Sequence, residues 1–236
     1  MDPLPPRLRR DVVSFVRRST RMNESQQKAW ERLGGRFVIE VERGEMSTSV
    51  ADGARIDWDE AFGRTAPLIV EIGSGVGEAT AALAAARPSY DVLALEVWRP
   101  GVAATLERLA EAGAGNVRLC SVDAVWFLEH VIPADGLAGL WTFFPDPWPK
   151  TKHHKRRLVT ASFASLAASR LAVGAEWRLA TDWGHYADQM AEVLDAEHRL
   201  EGGVVARWAE RPVTKFERKG IAAGRSITDL RYVRRG

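Results

Sequence analysis

The feature that most constrains the fold is the alternation of short apolar runs with amphipathic or Ala-rich segments from Pro67 onward. Parallel strands must be joined by crossovers, which are usually helices, so this pattern predicts an α/β fold. Seven strands are predicted, of which the last two could pair antiparallel: 68–72, 91–96, 116–121, 137–144, 175–180, 204–208 and 230–233. The helices between them are predicted at 76–86, 101–112, 124–131, 157–171 and 186–195. The result is a Rossmann-like, mostly parallel sheet with helices on both faces, which binds ligands at the carboxyl ends of its strands.

The chain before this region lacks the alternation. Residues 1–24 are rich in Pro and Arg and show little apolar periodicity, which predicts a basic, mobile N-terminal arm. A helix is predicted over residues 24–33, with Asn23 as its N-cap and Gly34-Gly35 at its end.

The length of 236 residues and the hydrophobic content of 46% suit one domain with a substantial core, which we expect over residues 25–236. No run of 18 apolar residues could span a membrane, and the N-terminus lacks the apolar core of a signal peptide. The single cysteine, Cys120, cannot form an internal disulfide, and we interpret it as a small buried hydrophobe. These features predict a cytoplasmic protein that does not bind a membrane.

Charge is segregated along the chain, although the net charge is only +2. Residues 1–22, 150–157 and 205–236 together hold 20 of the 33 basic residues and 5 of the 31 acidic residues, a net charge of +15. The other 174 residues carry a net charge of −13. Basic tails can serve solubility alone, but a basic segment inside the chain favours a polyanionic partner, namely a nucleic acid.

A glycine turn follows the first predicted strand. Gly73, Gly75 and Gly77 allow a tight turn and a close approach to a ligand. A dinucleotide fingerprint would need Gly or Ala at position 78, where this chain has Glu78, and a carboxylate there would repel a pyrophosphate. S-adenosylmethionine has no phosphate and carries a cationic sulfonium. The turn therefore favours this cofactor and disfavours an NAD-dependent oxidoreductase.

Acidic residues stand at the ends of three successive predicted strands. Glu71 directly precedes the glycine turn, Glu96 ends the second strand and Asp123 follows the third. A carboxylate after the second strand can accept hydrogen bonds from both ribose hydroxyls, and Asp123 is placed to receive an adenine amino group. Each acid alone could be a solvated loop residue. Together with the turn they predict an S-adenosylmethionine site formed by Glu71, Gly73, Gly75, Gly77, Glu96 and Asp123.

The fourth predicted strand runs into a stiff loop, Pro145-Asp146-Pro147-Trp148-Pro149. The following proline holds the backbone of Asp146 extended, which would fix its carboxylate beside a planar base. A basic cluster that could hold phosphates comes next, formed by Lys150, Lys152, His153, His154, Lys155, Arg156 and Arg157. Adjacent histidines without nearby cysteine or acid ligands are poor metal ligands, so no metal site is predicted.

These motifs resemble the bacterial tRNA (guanine-N7-)-methyltransferase family from about Ser19 to the C-terminus. The family-specific marks are residues 143–148 (Phe-Phe-Pro-Asp-Pro-Trp) and 214–217 (Thr-Lys-Phe-Glu). On spacing alone, residues 211–220 would instead be predicted as a charged surface loop. The resemblance implies a class I S-adenosylmethionine-dependent methyltransferase that forms 7-methylguanosine in the variable loop of tRNA. Pro149 stands where well-known members have histidine, and residues 1–18 match nothing in the family.

The resemblance also implies roles for individual residues. Asp146 would be the catalytic aspartate, and Glu71, Glu96 and Asp123 would bind the cofactor. Contacts to the substrate are implied for Lys150, Asp182, Thr214, Lys215, Phe216 and Glu217, and contacts to RNA for Lys152, His153, His154, Lys155, Arg156 and Arg157. Within this set, Asp182 and Glu217 are candidate acceptors for the N1 and N2 hydrogens of guanine.

Guanine N7 carries an exposed lone pair, so no proton must leave before methyl transfer. Asp146 is therefore expected to act by orientation and electrostatics rather than as a required general base. Two alternatives stay open: methylation of an amine on another nucleic-acid base, since Asp146-Pro147-Trp148 looks like a shortened Asp-Pro-Pro-aromatic loop, and a non-catalytic RNA-binding module on the same fold. We expect a monomer or homodimer that binds tRNA and needs no protein partner.

Overall fold

The computed structural model describes residues 13–16 and 19–236, so most of the predicted N-terminal arm, residues 1–12 and 17–18, lies outside the described residues. The strands are β1 (Leu68–Ile72), β2 (Asp91–Leu95), β3 (Val117–Cys120), β4 (Leu137–Phe143), β5 (Leu171–Thr181), β6 (Leu200–Val205) and β7 (Thr228–Arg234). They form one sheet in the order β3-β2-β1-β4-β5-β7-β6. The first five strands are parallel, and β7 runs antiparallel to both β5 and β6. The predicted α/β sheet, including its antiparallel end, is confirmed.

The helices of the described chain cover both faces of this sheet. They are α1 (Glu24–Phe37), α2 (Trp58–Phe62), α3 (Glu78–Ala85), α4 (Arg99–Ala112), α5 (Ala124–His130), a 3₁₀ helix (Thr151–Arg156), α6 (Ala161–Arg170), α7 (Gly184–Asp195) and α8 (Lys215–Ala222). Successive residues of β1 alternate between two hydrophobic cores: Val70 packs with Phe127 of α5, and Ile69 with Phe37 of α1. None of the helices in residues 13–16 and 19–236 is long and apolar enough to cross a bilayer.

The end of α1 differs from the prediction. Asn23 is its N-cap as expected, and its side chain accepts a hydrogen bond from the backbone of Gln26 at 2.9 Å. The helix nevertheless continues through Gly34 and Gly35 to Phe37. Phe37 is 1% exposed, and its burial outweighs the cost of about 1 kcal/mol by which each glycine disfavours a helix.

Side-chain caps explain two further differences. The helix predicted from residue 157 begins only at Ala161, because the hydroxyl of Thr160 accepts a hydrogen bond from Phe163 N at 3.3 Å. The segment that spacing alone placed in a loop contains α8, which Thr214 caps by accepting a hydrogen bond from Glu217 N at 3.4 Å. The Thr-x-x-Glu pattern of a capping box could have revealed this helix.

Candidate active site

A cavity opens at the carboxyl ends of the first four parallel strands, and we call it the strand-end cavity. One predicted site residue lines it beyond the end of each strand: Gly73 after β1, Glu96 after β2, Asp123 after β3 and Asp146 after β4. Phe216 of α8 closes one side. The structure thus brings four predicted cofactor residues, Gly73, Gly75, Glu96 and Asp123, together with the predicted catalytic Asp146, which lies 73 positions after Gly73. The other two predicted cofactor residues, Glu71 and Gly77, are absent from the residues that line this cavity.

The glycine turn between β1 and α3 is held in a left-handed backbone conformation, with φ of 75° at Gly73, 60° at Gly75 and 77° at Gly77. Side chains other than glycine rarely adopt these angles. At Gly77 the space is also closed, since a Cβ there would overlap the side chain of Thr105 in α4. The turn therefore lies directly against α4 and presents its backbone to the cavity.

Two of the predicted cofactor acids are fixed by backbone amides. Glu96 accepts hydrogen bonds from Gly75 N through Oε2 and from Trp98 N through Oε1, both at 2.8 Å. Asp123 caps α5 by accepting a hydrogen bond from Val125 N at 2.9 Å, and it is 2% exposed. These bonds set the direction of both carboxylates before any ligand arrives.

Glu71 is the third predicted cofactor acid, and its environment is different. Its side chain is 2% exposed, and its Oε2 has no hydrogen-bond partner among the residues that the structure describes. Burial raises the pKa of Glu71 to about 7; the Thr80 side chain lowers it and the negative charge of Glu96 raises it. A buried carboxylate is costly unless a donor or cation joins it, so this site suits a cationic ligand group.

Asp146 lies on a loop whose backbone is strained on both sides. Phe144 and Trp148 have φ of 52° and 44°, a region that costs non-glycine residues about 1–3 kcal/mol. The loop is held by Arg157, whose Nε donates to the carbonyl of Pro147 at 2.9 Å. Such strain collects at functional sites, where the surrounding structure over-determines it. The predicted stiffness of the loop thus has a support that sequence reasoning missed.

Arg157 differs from the other members of the basic cluster because its side chain is buried. It was expected to contact RNA, but it is 2% exposed, donates to Gln189 Oε1 at 2.6 Å and lies over the ring of Tyr186. Its guanidinium therefore supports the Asp146 loop from a buried position, and its contact with RNA stays a prediction. Lys150, Lys152, Lys155 and Arg156 are exposed on or beside the 3₁₀ helix, and His153 and His154 are half-buried there.

Residues 13–16, part of the predicted mobile arm, lie in the site. Val16 N donates a hydrogen bond to Asp146 Oδ2 at 2.9 Å, and Trp148 Nε1 donates to the carbonyl of Ser14 at 3.2 Å. Ser14, Phe15 and Val16 also line the strand-end cavity. The Asp146 loop thus supplies partners for the backbone groups of Ser14 and Val16, and the mobility of the arm stays a prediction.

The 214–217 segment is divided between a core and the cavity. Thr214 and Glu217 are buried, and Glu217 pairs with Arg207 at 2.7 Å and Arg211 at 2.6 Å. Glu217 thus helps to hold α8, and its contact with guanine stays a prediction. Phe216, in contrast, is 44% exposed and lines the cavity.

Lys215 and Asp182 also lie near α8 but not in the cavity wall. Lys215 is exposed at the start of the helix. Asp182 is half-buried and pairs with Arg225 at 2.7 Å, beyond the end of α8. Asp182 therefore already has a cationic partner, and it is absent from the residues that line the strand-end cavity.

Comparison with known proteins shows which family this chain belongs to. A family model described as a putative methyltransferase matches residues 65–230. A tRNA (guanine-N(7)-)-methyltransferase of Nocardioides sp. is 64% identical over 227 residues, which cover 96% of this chain and 89% of the relative. The chain belongs to the tRNA (guanine-N(7)-)-methyltransferase family. A member from Cutibacterium acnes is 53% identical and covers 97% of this chain and 85% of its own length.

Solved structures share the fold of this enzyme at low sequence identity. The 16S rRNA methyltransferase KamB aligns with a TM-score of 0.56 and 15% identity, covering 84% of this chain and all of its own. A 16S rRNA (adenine(1408)-N(1))-methyltransferase mutant from Catenulisporales acidiphilia aligns with a TM-score of 0.52 and 17% identity, covering 84% of this chain and 99% of its own. The predicted class I methyltransferase fold, family and enzyme class are confirmed, whereas the roles of single residues stay predictions.

Proposed function

We propose that this enzyme transfers a methyl group from S-adenosylmethionine to N7 of a guanine in the variable loop of tRNA, forming 7-methylguanosine and S-adenosylhomocysteine. The observation that carries the proposal is the shared cavity: acids suited to a nucleoside cofactor, Glu96 and Asp123, line it together with Asp146 on its stiff loop. The relatives described above are named tRNA (guanine-N(7)-)-methyltransferases.

The residues around the glycine turn fit S-adenosylmethionine. We assign Glu96 to the ribose hydroxyls and Asp123 to the adenine amino group, and backbone amides hold both carboxylates in place. The buried carboxyl of Glu71, with its unpartnered oxygen, suits a cationic part of the same molecule. When bound, the cofactor supplies an electrophilic methyl group on a sulfonium. The chain supplies a site without a phosphate-binding helix end, because Glu78 occupies that position.

Asp146 performs an electrostatic task in this proposal. Methylation of N7 makes the purine cationic, so a carboxylate held near the base stabilises the developing charge. The Arg157 support and the strained backbone fix the Asp146 loop before the base enters. Phe143, Phe144 and Phe216 line the cavity with aromatic surface, which excludes water and suits a planar base.

We predict that the exposed cations beside the Asp146 loop bind tRNA phosphates. Changing Lys150, Lys152, Lys155 and Arg156 together to alanine should weaken tRNA binding at least about tenfold and reduce the slope of log affinity against log salt by up to about 3. Filter binding over a range of salt concentrations measures both. Lys28→Ala with Arg32→Ala, two exposed cations on α1, is the matched control and should leave the slope unchanged. An unchanged slope in the fourfold variant would exclude this surface.

The raised pKa of Glu71 predicts a pH dependence of cofactor binding. Below about pH 7 the carboxyl is protonated and neutral, so affinity for the cationic cofactor should rise as pH increases from 6 to 8. Calorimetric titration measures the affinity, and Glu71→Gln should be weak and nearly pH-independent.

The same shift affects the stability of the enzyme without cofactor. The folded state holds the Glu71 proton more tightly than the unfolded chain does, so this group's contribution to stability falls as pH rises from about 4.5 to about 7. Glu71→Gln should therefore become relatively more stable than the wild type at pH 8 than at pH 5. The wild type and Glu71→Gln could instead show the same pH dependence, both of cofactor affinity and of unfolding. That result would show that Glu71 does not bind the cationic cofactor.

Nucleoside analysis tests the proposed function. The purified enzyme, S-adenosylmethionine and unmodified tRNA should yield 7-methylguanosine, detected by mass spectrometry after digestion. A methyl group on an exocyclic amine would establish the base-amine alternative, and no methylation despite tRNA binding would favour a non-catalytic module. The reaction is expected to occur in the cytoplasm, with the enzyme as a monomer or homodimer and without another protein.

A further inference from the structure

Glu78, the first residue of α3, links the cofactor turn to α8. Its Oε2 accepts a short hydrogen bond from the backbone N–H of Lys215, and its Oε1 pairs with Arg218 Nη2 at 2.8 Å. Lys215 and Arg218 lie 137 and 140 positions further along the chain and are the first and fourth residues of α8. One carboxylate thus bonds to both ends of the first turn of another helix.

The Glu78 carboxylate accepts a hydrogen bond from one of the first N–H groups of α8. The first N–H groups of a helix have no partner within the helix. Thr214 takes the N–H of Glu217, and Glu78 takes that of Lys215. A negative charge is also favourable at a helix N-terminus, and Glu78 lies at two of them, that of α8 and that of α3. Partial burial raises the pKa of Glu78, but the bonds from Arg218 and Lys215 lower it below its usual value.

The two Glu78 bonds also fix Phe216, which lies between Lys215 and Arg218 in the sequence. Phe216 follows Lys215, and its ring lies beside Gly75 in the cofactor turn: a Cβ on Gly75 would lie 3.7 Å from Phe216 Cε2. From Glu217 onward, α8 is attached elsewhere, through the buried ion pairs of Glu217 and through Gly220, which packs tightly against Asp182. Loss of the Glu78 bonds would therefore release Lys215 and Phe216 and leave the helix from Glu217 onward in place.

We propose that Glu78 is a positioning residue that holds the first two residues of α8, Lys215 and Phe216, against the cofactor turn. Through the contact between Phe216 and Gly75, one carboxylate fixes the positions of the substrate side and the cofactor side of the cavity relative to each other. The inference rests on the proposed function, since the position of Phe216 affects turnover only if the strand-end cavity receives the cofactor and the guanine.

A double-mutant cycle tests this coupling. Glu78→Ala and Phe216→Ala should each reduce kcat/KM for tRNA about tenfold, and the double variant should lose little more than either single variant. Hydrogen exchange without ligands gives a readout independent of turnover: the amide of Lys215, which donates to Glu78, should exchange at least about tenfold faster in Glu78→Ala, with residues 220–222 unchanged. Additive losses in the cycle, or unchanged exchange, would overturn the proposal.

Conservative variants and a control complete the experiment. Glu78→Gln keeps an oxygen that can accept the Lys215 N–H but loses the ion pair with Arg218. Arg218→Met loses the same ion pair. Both variants should therefore change kcat/KM and amide exchange by similar amounts, and by less than Glu78→Ala does. Glu201→Ala breaks the exposed Glu201–Arg235 pair at 3.0 Å on β6 and should match the wild type. If Glu78→Ala unfolds, Glu78→Gln carries the test, and exchange as slow as in the wild type would overturn the proposal. If the wild type forms no 7-methylguanosine, the proposed function fails, while the exchange measurement still decides whether Glu78 holds α8.

Discussion

Replacing Asp146 with asparagine is expected to slow methyl transfer on the order of 100-fold and to leave the affinity for S-adenosylmethionine within a few-fold. Asparagine has nearly the same shape, and its oxygen can still accept the hydrogen bond that Val16 N donates to Asp146. It lacks the negative charge. Because positive charge reaches the purine only as the methyl group moves, the loss falls on the transition state rather than on binding. Single-turnover rates at saturating cofactor measure this step.

Two further variants separate charge from orientation at Asp146. Asp146→Glu keeps the charge but moves it by one methylene group, so a substantial loss of rate there would show that the fixed loop geometry matters as well. Asp188→Asn removes an exposed carboxylate of α7 and serves as the control for a change of net charge. An Asp146→Asn enzyme that turns over within a few-fold of the wild type would show that the carboxylate is not needed for catalysis.

The parts of the fold that the sequence predicts well are those that local rules determine. The parallel strands β1 to β4 read as apolar runs because both faces of each are buried, and glycine or acidic residues follow each run. The same rule places Gly73, Glu96, Asp123 and Asp146 at one edge of the sheet, where the structure has them. α1 shows the limit of such rules, since tertiary burial of Phe37 extends it past two glycines.

Sequence reasoning was less successful where the partner of a charged residue lies far along the chain. Glu217 is predicted to contact the substrate, and its two buried ion pairs with arginines could not be predicted from the sequence. Arg157 looked like an RNA contact within a basic run, yet it supports the loop that carries Asp146. Charge type alone does not distinguish a solvated cation from a buried one. The Leu158-Val159 pair that follows Arg157 is buried, and it was the available sign that the chain turns inward there.

Replacing Arg211 with methionine is expected to have the largest effect on stability, a loss of about 3–5 kcal/mol. The Arg211 side chain is completely buried and pairs with Glu217 at 2.6 Å and Asp229 at 2.8 Å. It joins the segment before α8, α8 itself and β7. Methionine preserves much of the volume but leaves two buried carboxylates without this cation, which is the costly way to break such a pair. The midpoint temperature of thermal unfolding should fall by roughly 6–20 °C in a chain of this size.

Arg207 provides the matched control for this prediction. Its side chain is 36% exposed and shares Glu217, so Arg207→Met should cost only about 1 kcal/mol. The pH dependence gives a second check: burial raises the pKa of Glu217, but Arg207 and Arg211 hold it below its usual value. The stabilisation is then present above about pH 4.5 and lost as pH falls through the lower folded-state pKa, so the difference between wild type and Arg211→Met should shrink in acid. If the free energy of unfolding of Arg211→Met lies within about 1 kcal/mol of the wild-type value at pH 7, the buried ion pairs do not hold α8. The position of α8 must then depend on Glu78 and Asp182 instead.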